Sequence, residues 1–187
     1  VQEEAGCKVL LAQKAYSLYK TYPLISQYLS GTTASGLYEA KLASEEFPGE
    51  VHVFAPAFKD SDMEELLEIT DHIVFNSERQ LRKHGARCRE AGVSVGLRLN
   101  PQCSTQGDHA LYDPCAPGSR FGVTLDKIPS DLLDLVDGLH FHTLCEQGSD
   151  DLETTLKAVE AQFGPYLHEV KWLNMGGGHH ITREGYD

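Results

Sequence analysis

The sequence predicts an α/β fold, a (β/α)8 barrel of the TIM type, here incomplete at about seven βα units. Three observations carry that expectation. Short apolar runs alternate with longer stretches of helical period, the pattern of repeated βα units. Runs such as Val51-His52-Val53-Phe54 are short and near-continuous, as strands covered on both faces are. Seven such units in 187 residues recur about every 25 residues, the spacing of a barrel of roughly 250 residues. The rival, an open doubly wound sheet, would place a glycine-rich phosphate turn after its first strand. That position reads Leu11-Ala12-Gln13-Lys14-Ala15-Tyr16.

The expected strands are Lys8 to Gln13, Gly31 to Ser35, Val51 to Ala57, His72 to Asn76, Ser94 to Leu99, Gly138 to His142 and Val170 to Asn174. Helices fill the gaps between them. Leu152, Leu156, Val159 and Phe163 recur at spacings of 4, 3 and 4, one face of a helix. Asp150 and Asp151 favour its N-terminal end, and Gly164-Pro165 is expected to break it. Glu78 to Glu90 has a mixed-charge face and stops before Gly92, while Leu24, Ile25, Tyr28 and Leu29 form an apolar stripe closed by Gly31. Both read as outer helices. Val1 to Gly6 reads as the tail of a helix, and Pro101 to Arg120 as a long irregular loop of the kind that is often functional.

Composition narrows the function classes. With 41% apolar and 24% charged residues the chain is of globular type. Sixteen Lys plus Arg against 28 Asp plus Glu leave a net charge of −12, which excludes a sequence-independent grip on nucleic-acid phosphates. A cationic substrate fits that charge, as does a surface that merely favours solubility. Cys7, Cys88, Cys103, Cys115 and Cys145 are odd in number, spread along the chain and without a C-x-x-C pair, so reduced thiols are expected. No apolar run approaches the roughly 20 residues of a spanning helix, and no leader opens the sequence. The expectation is a cytoplasmic protein with no membrane partner, its residues 1–187 forming one partial barrel domain clipped at both ends.

Active sites of βα barrels lie at the C-terminal ends of the strands. Four ends are informative: Lys14 after the first, Arg98 to Pro101 after the fifth, His140 to Glu146 at the sixth, and Asn174 to His180 at the seventh. Lys14 is either an amine partly desolvated for imine chemistry or a lysine snorkelling to water. Arg98, inside a barrel, neutralises an acid or grips an anion, because its charge cannot be shed. His140 and His142 are two apart and share one face of a strand. They are open to metal ligation with Cys145, His179 or His180, or to resting on a planar ring. Gly176, Gly177 and Gly178 lead toward an expected helix near Thr182 and offer bare N–H groups to a phosphate, or are a plain flexible connection.

In their order these segments resemble the family of alanine racemase and the ornithine and diaminopimelate decarboxylases. Leu11-Ala12-Gln13-Lys14-Ala15 is similar to the family's lysine segment, and Ala34-Ser35 to its second-strand serine motif. Leu97 to Pro101, Ser119 to Gly122, Gly138 to His142 and Leu173 to Gly178 resemble diaminopimelate decarboxylase motifs. After His142 those enzymes have Ile-Gly-Ser-Gln, where this chain has Thr143-Leu144-Cys145-Glu146. That segment and Gly31 to Glu39 are similar to the carboxynorspermidine (carboxyspermidine) decarboxylase branch. The resemblance implies a pyridoxal 5′-phosphate enzyme with its Schiff base at Lys14, His142 stacked on the pyridine ring, Arg98 at the phenolic side and Gly176, Gly177 and Gly178 on the phosphate. It further implies decarboxylation of a cationic polyamine precursor, and a homodimer whose later β domain lends residues across the interface. Glu39 and Glu146 are candidate acids for the substrate's ammonium groups.

Other readings stay open at this point. One is a diaminopimelate or other amino-acid decarboxylase of the same fold. Another is a metal-dependent barrel hydrolase using His140 and His142, with metal-bound water as nucleophile. A third is a non-catalytic carrier of the cofactor.

Overall fold

The computed structural model describes residues 2–107 and 110–186. Seven strands run β1 (Leu10–Ala12), β2 (Gly31–Ala34), β3 (Glu50–Phe54), β4 (His72–Phe75), β5 (Ser94–Arg98), β6 (Gly138–Gln147) and β7 (Trp172–His179). All pair in parallel, and their order across the sheet is their order in the chain. A doubly wound sheet reverses direction at a switch point. This one never does, so it curls as a barrel curls, open between β1 and β7 among the described residues. The expected barrel class is what the structure shows, as a half-barrel.

Helices alternate with the strands: α1 (Gln2–Ala5), α2 (Tyr22–Ile25), α3 (Leu37–Glu46), α4 (Asp60–Ile69), α5 (Glu78–Glu90), α6 (Leu132–Leu135) and α7 (Ser149–Leu167). The core lies between the sheet and these helices. Val51, Val53, Ile73, Phe75, Val95, Leu97, Leu139 and Phe141 point outward from the strands and meet Ala40, Met63, Leu66, Leu81, Val159 and Phe163 from the helices. Alternate residues of β3, namely Glu50, His52 and Phe54, are only half-buried and face the inside of the curl. Period-two alternation thus sorts β3 into a packing face and a chemical face.

Several local expectations are corrected. The helix bearing Leu152 to Phe163 does not break at Gly164-Pro165 but runs to Leu167 with Pro165 inside it. Phe163 is fully buried, and Tyr166 and Leu167 pack on the core. That burial outweighs a helix proline's cost of about 3 kcal/mol. The stripe of Leu24, Ile25, Tyr28 and Leu29 yields only the single turn of α2, with Leu24 and Tyr28 exposed. Ile25 and Leu29 are only half-covered, and a short helix with so little packing does not propagate. The sixth and seventh strands extend past their expected ends at His142 and Asn174, because the two continue to pair as far as Gln147 and His179. Pairing there passes through irregularities at His142/Leu144 and Leu144/Gln147.

Candidate functional site

Arg98 ends β5 on the inner face, with 4% of its surface exposed. Its guanidinium carbon sits 4.9 Å from the centre of the Phe54 ring and 4.8 Å from that of Phe121, held between two aromatic faces. Nη2 donates to the carbonyl oxygen of His142 at 2.8 Å. Among the described residues no carboxylate comes within ion-pair distance of it. Desolvation pushes Arg98 down to about 10, still protonated at neutral pH. Of the two alternatives for a barrel arginine, the internal acid is therefore not the one found here.

His140 and His142 do share the inner face of β6, their ring centres 6.0 Å apart. His140 lies opposite Asn174 in the ladder, and its Nδ1 is 3.1 Å from the Asn174 carbonyl oxygen and 2.9 Å from Asn174 Oδ1. Both partners are acceptors, so Nδ1 bears the hydrogen and Nε2 keeps its lone pair. That Nε2 is buried without a partner. Burial, then His142 and Arg98, push His140 down to about 3. Burial, then the positive charges of Arg98 and Lys14 and the neighbouring His179, push His142 down to about 4. Both rings are neutral at physiological pH, and Lys14, Arg98 and His142 act on one another across a single rim.

Gly176 is the ladder partner of His142. A Cβ at Gly176 would stand 2.6 Å from His140 Cε1 and 2.9 Å from His142 Nδ1, so the bare backbone is what lets both imidazoles lie there. Gly177 has φ 150°, and a Cβ on it would stand 2.9 Å from that of Leu144. The triple glycine was expected to be a turn running into a helix near Thr182. It is instead the distal part of β7, and the residues around Thr182 form turns. Pairing with the extended β6 overrides glycine's weak strand preference.

Lys14 follows β1 in a turn closed by Ala15 N–H and Tyr16 N–H on the Ala12 carbonyl. It reaches the rim but is exposed, so of its two readings the described residues supply contact with water rather than desolvation. Glu39, in the first turn of α3, accepts through Oε2 from Ser35 N–H at 2.6 Å, the residue before the helix's N-cap Gly36. Its backbone carbonyl accepts from the buried Gln13 side chain. Glu146 is exposed at a left-handed φ of 57°, its carboxylate 4.0 Å from His180 Nε2. Among the described residues, His140, His142, Cys145, His179 and His180 do not bring three ligand atoms together; the group that converges is Glu50, His52 and His72, elsewhere on the sheet.

The loop of residues 101–120 is strapped to this rim; its Asp108 and His109 lie outside the described residues. Buried Gln106 donates to the Thr143 carbonyl at 2.9 Å and to Gln147 Oε1 at 2.6 Å, and Gln147 donates to the Thr105 carbonyl at 2.6 Å. Asn100 reaches the Pro114 carbonyl at 3.3 Å, and Gln162 of α7 donates to the Pro101 carbonyl at 2.6 Å. Sequence reasoning missed Asn174, Phe54, Phe121 and this glutamine strap. For Asn174 a signal existed, since aligning the sixth and seventh strands places it beside His140.

Sequential parallel strands with lysine, arginine, histidine and glycine toward their carboxyl ends form part of a βα barrel. Alanine racemase of Acinetobacter baumannii superposes with a TM-score of 0.58 at 14% identity, over 94% of this chain and 51% of that one, a likeness of fold. The particular relatives are decarboxylases. Over 187 residues the chain is 42% identical to carboxynorspermidine/carboxyspermidine decarboxylase of Campylobacter jejuni, covering 100% of this chain and 48% of that protein. Over 188 residues it is 41% identical to carboxyaminopropylagmatine decarboxylase of Synechocystis, again 100% and 48%. The crystal structure of the Campylobacter jejuni carboxynorspermidine decarboxylase complexed with norspermidine has a TM-score of 0.90 at 40% identity, covering 100% of this chain and 47% of that one. No protein-family model matches the chain. The chain spans about half the length of the curated relatives it matches.

Proposed function

We propose that the full-length protein is a pyridoxal 5′-phosphate-dependent decarboxylase of carboxynorspermidine or carboxyspermidine, within polyamine biosynthesis. The observation that carries the cofactor is Arg98, a buried cation with no carboxylate beside it among the described residues, on the same rim as Lys14 and a neutral His142. Such a charge asks for an anion.

The residues present fit that group. Lys14 would hold it covalently through Nζ, His142 would lie against its ring, Arg98 would face its phenolic oxygen, and Gly176, Gly177 and Gly178 would border its phosphate where side chains have no room. When bound, the cofactor supplies a sink for the electron pair left as the α-carboxylate departs as CO₂. His142, neutral across the working pH range, presents an uncharged ring face. Arg98 keeps its charge and, pinned by the His142 carbonyl and two rings, its position. The strap of Gln106 and Gln147 holds the loop beside the rim. A net charge of −12 favours approach by a substrate with several ammonium groups.

The reading extends to residues 1–187 as a partial cofactor-binding barrel domain of a cytoplasmic homodimer. Five free cysteines fit a reducing compartment, and among the described residues no helix is long and apolar enough to cross a membrane. A second substrate reading, carboxyaminopropylagmatine, is favoured by the nearly equal identity to the Synechocystis enzyme.

Borohydride reduction of the holoenzyme followed by peptide mapping should place the pyridoxyl label on Lys14; a label elsewhere overturns the cofactor assignment. CO₂ release from carboxynorspermidine, carboxyspermidine, carboxyaminopropylagmatine and meso-diaminopimelate separates the substrates. Turnover of diaminopimelate alone removes the polyamine reading.

A further inference from the structure

At the end of the sheet opposite the lysine rim, β3 opens with Glu50-Val51-His52 and β4 with His72. His52 and His72 are ladder partners, so their side chains leave adjacent strands side by side, with rings stacked at 4.1 Å and 5° between planes. Glu50, two residues before His52, shares its face, and Glu50 Oε2 lies 3.0 Å from His52 Nε2. One ligand atom from each of the three residues lies within 4.8 Å of the others. All three are half-buried.

The surroundings close this cluster on one side. Trp172 of β7 meets His72 edge-on at 5.3 Å, and its Nε1 donates to Ser94 Oγ at 2.9 Å. Its indole crosses the inside of the sheet because β6 has glycine beneath it; a Cβ at Gly138 would stand 2.0 Å from the ring. Lys8 pairs with the other oxygen of Glu50. His72 Nδ1 is buried and has no hydrogen-bond partner. Burial holds both imidazoles below their ordinary range, in the neutral form that ligates metals.

We propose that Glu50, His52 and His72 form a site for a divalent transition-metal ion, zinc in particular, at the floor of the barrel. Two imidazoles and a carboxylate are a zinc donor set, with a fourth position left for water, whereas calcium and magnesium take oxygen-rich shells. Zinc bonds of about 2.0–2.1 Å set a tetrahedral edge of about 3.3 Å. The 3.0 Å between Glu50 and His52 is close to that edge. Metal entry switches the His52 tautomer, the proton that Nε2 now offers Glu50 passing through solvent to Nδ1, and rotates the stacked rings so that their nitrogens converge. No hydrogen bond through Nδ1 resists that turn of His72. The ion ties β3 to β4 and takes no part in chemistry at the opposite rim.

The test is metal binding by the full-length protein stripped with chelator, using Zn²⁺ alone and then Co²⁺ as a spectroscopic probe. One equivalent of zinc should survive gel filtration, and Co²⁺ should give tetrahedral d–d bands without a thiolate charge-transfer band. His72→Asn and His52→Gln, each checked for an unchanged circular dichroism spectrum, should weaken Co²⁺ binding at least about a hundredfold, while His142→Ala should leave it unchanged. Substoichiometric zinc, a thiolate band, or a Co²⁺ affinity insensitive to His72→Asn and His52→Gln overturns the proposal. Should both variants fail to fold, Glu50→Gln serves instead, and retained affinity there overturns it equally.

Discussion

Arg98 donates through Nη2 to the main-chain oxygen of His142, 2.8 Å away, and so ties the end of β5 to the second member of the histidine pair on β6. The arginine is enclosed by Phe54 and Phe121 and has no acid beside it among the described residues. Its charge is therefore maintained against desolvation without a counter-charge among the described residues, which is what the proposed anionic cofactor would require.

Arg98→Met should keep the packing of the stem and remove the charge. Relief of desolvation offsets the lost contacts, so apo-protein stability should change by less than about 1 kcal/mol or rise. Pyridoxal phosphate affinity should fall at least tenfold. Thermal melts and absorbance titrations measure the two effects; a destabilised apo-protein with unchanged cofactor affinity would contradict the role.

Gly176→Ala inserts a methyl 2.6 Å from His140 and 2.9 Å from His142. One or both rings must move, at a cost of about 1–3 kcal/mol for the overpacking. Cofactor affinity should drop together with stability. Denaturant midpoints show the first loss and cofactor titration the second; normal values of both would mean that the rings have room that the structure does not show.

Protonation of the histidine pair links stability to acid. His140 at about 3 and His142 at about 4 lie below the ordinary histidine value, so between about pH 6.5 and 4 the unfolded chain binds protons that the native chain refuses. Stability should decline as pH falls through that window. His140→Asn should flatten the decline, as urea midpoints measured from pH 7.5 to 4 will reveal. Glu50 and Asp137 act at lower pH. Burial works to raise both, but side-chain bonds, from Lys8 and His52 for Glu50 and from Lys171 for Asp137, hold them below the usual carboxylate range. Their stabilising contribution is lost on further acidification.

Gln106→Ala removes the side chain that bridges the loop to Thr143 and Gln147. Gln147 Oε1 keeps the Cys145 N–H, but the buried Thr143 carbonyl loses its side-chain donor, at a local cost of about 1–3 kcal/mol. Limited proteolysis should then cut within residues 101–120 several-fold faster, with the far-ultraviolet dichroism unchanged. An unaltered cleavage rate would show that Asn100 and Gln162 suffice to hold the segment.

The barrel class was legible because each βα unit writes its own period: continuous apolar runs for strands, and Glu78 to Glu90 matching α5 residue for residue. That His140 and His142 share a face followed from strand geometry alone. The limits of α7 and β7 did not follow, since the burial of Phe163 that carries the helix past Pro165 and the pairing that makes the glycines a strand are contacts with distant segments. That Glu39, a candidate acid, reaches back to Ser35 N–H likewise depends on how the chain enters α3.

By itself the order of residues determined which chemical groups stand at strand ends, the number of strands and the acidity of the whole. Only tertiary structure decided which of those groups meet: Arg98 with Phe54 and Phe121, His140 with Asn174, His52 with His72. Periodicity reports the face a residue occupies on its own element. What stands opposite depends on register between strands and on where a long loop returns, and both are settled by packing across the fold.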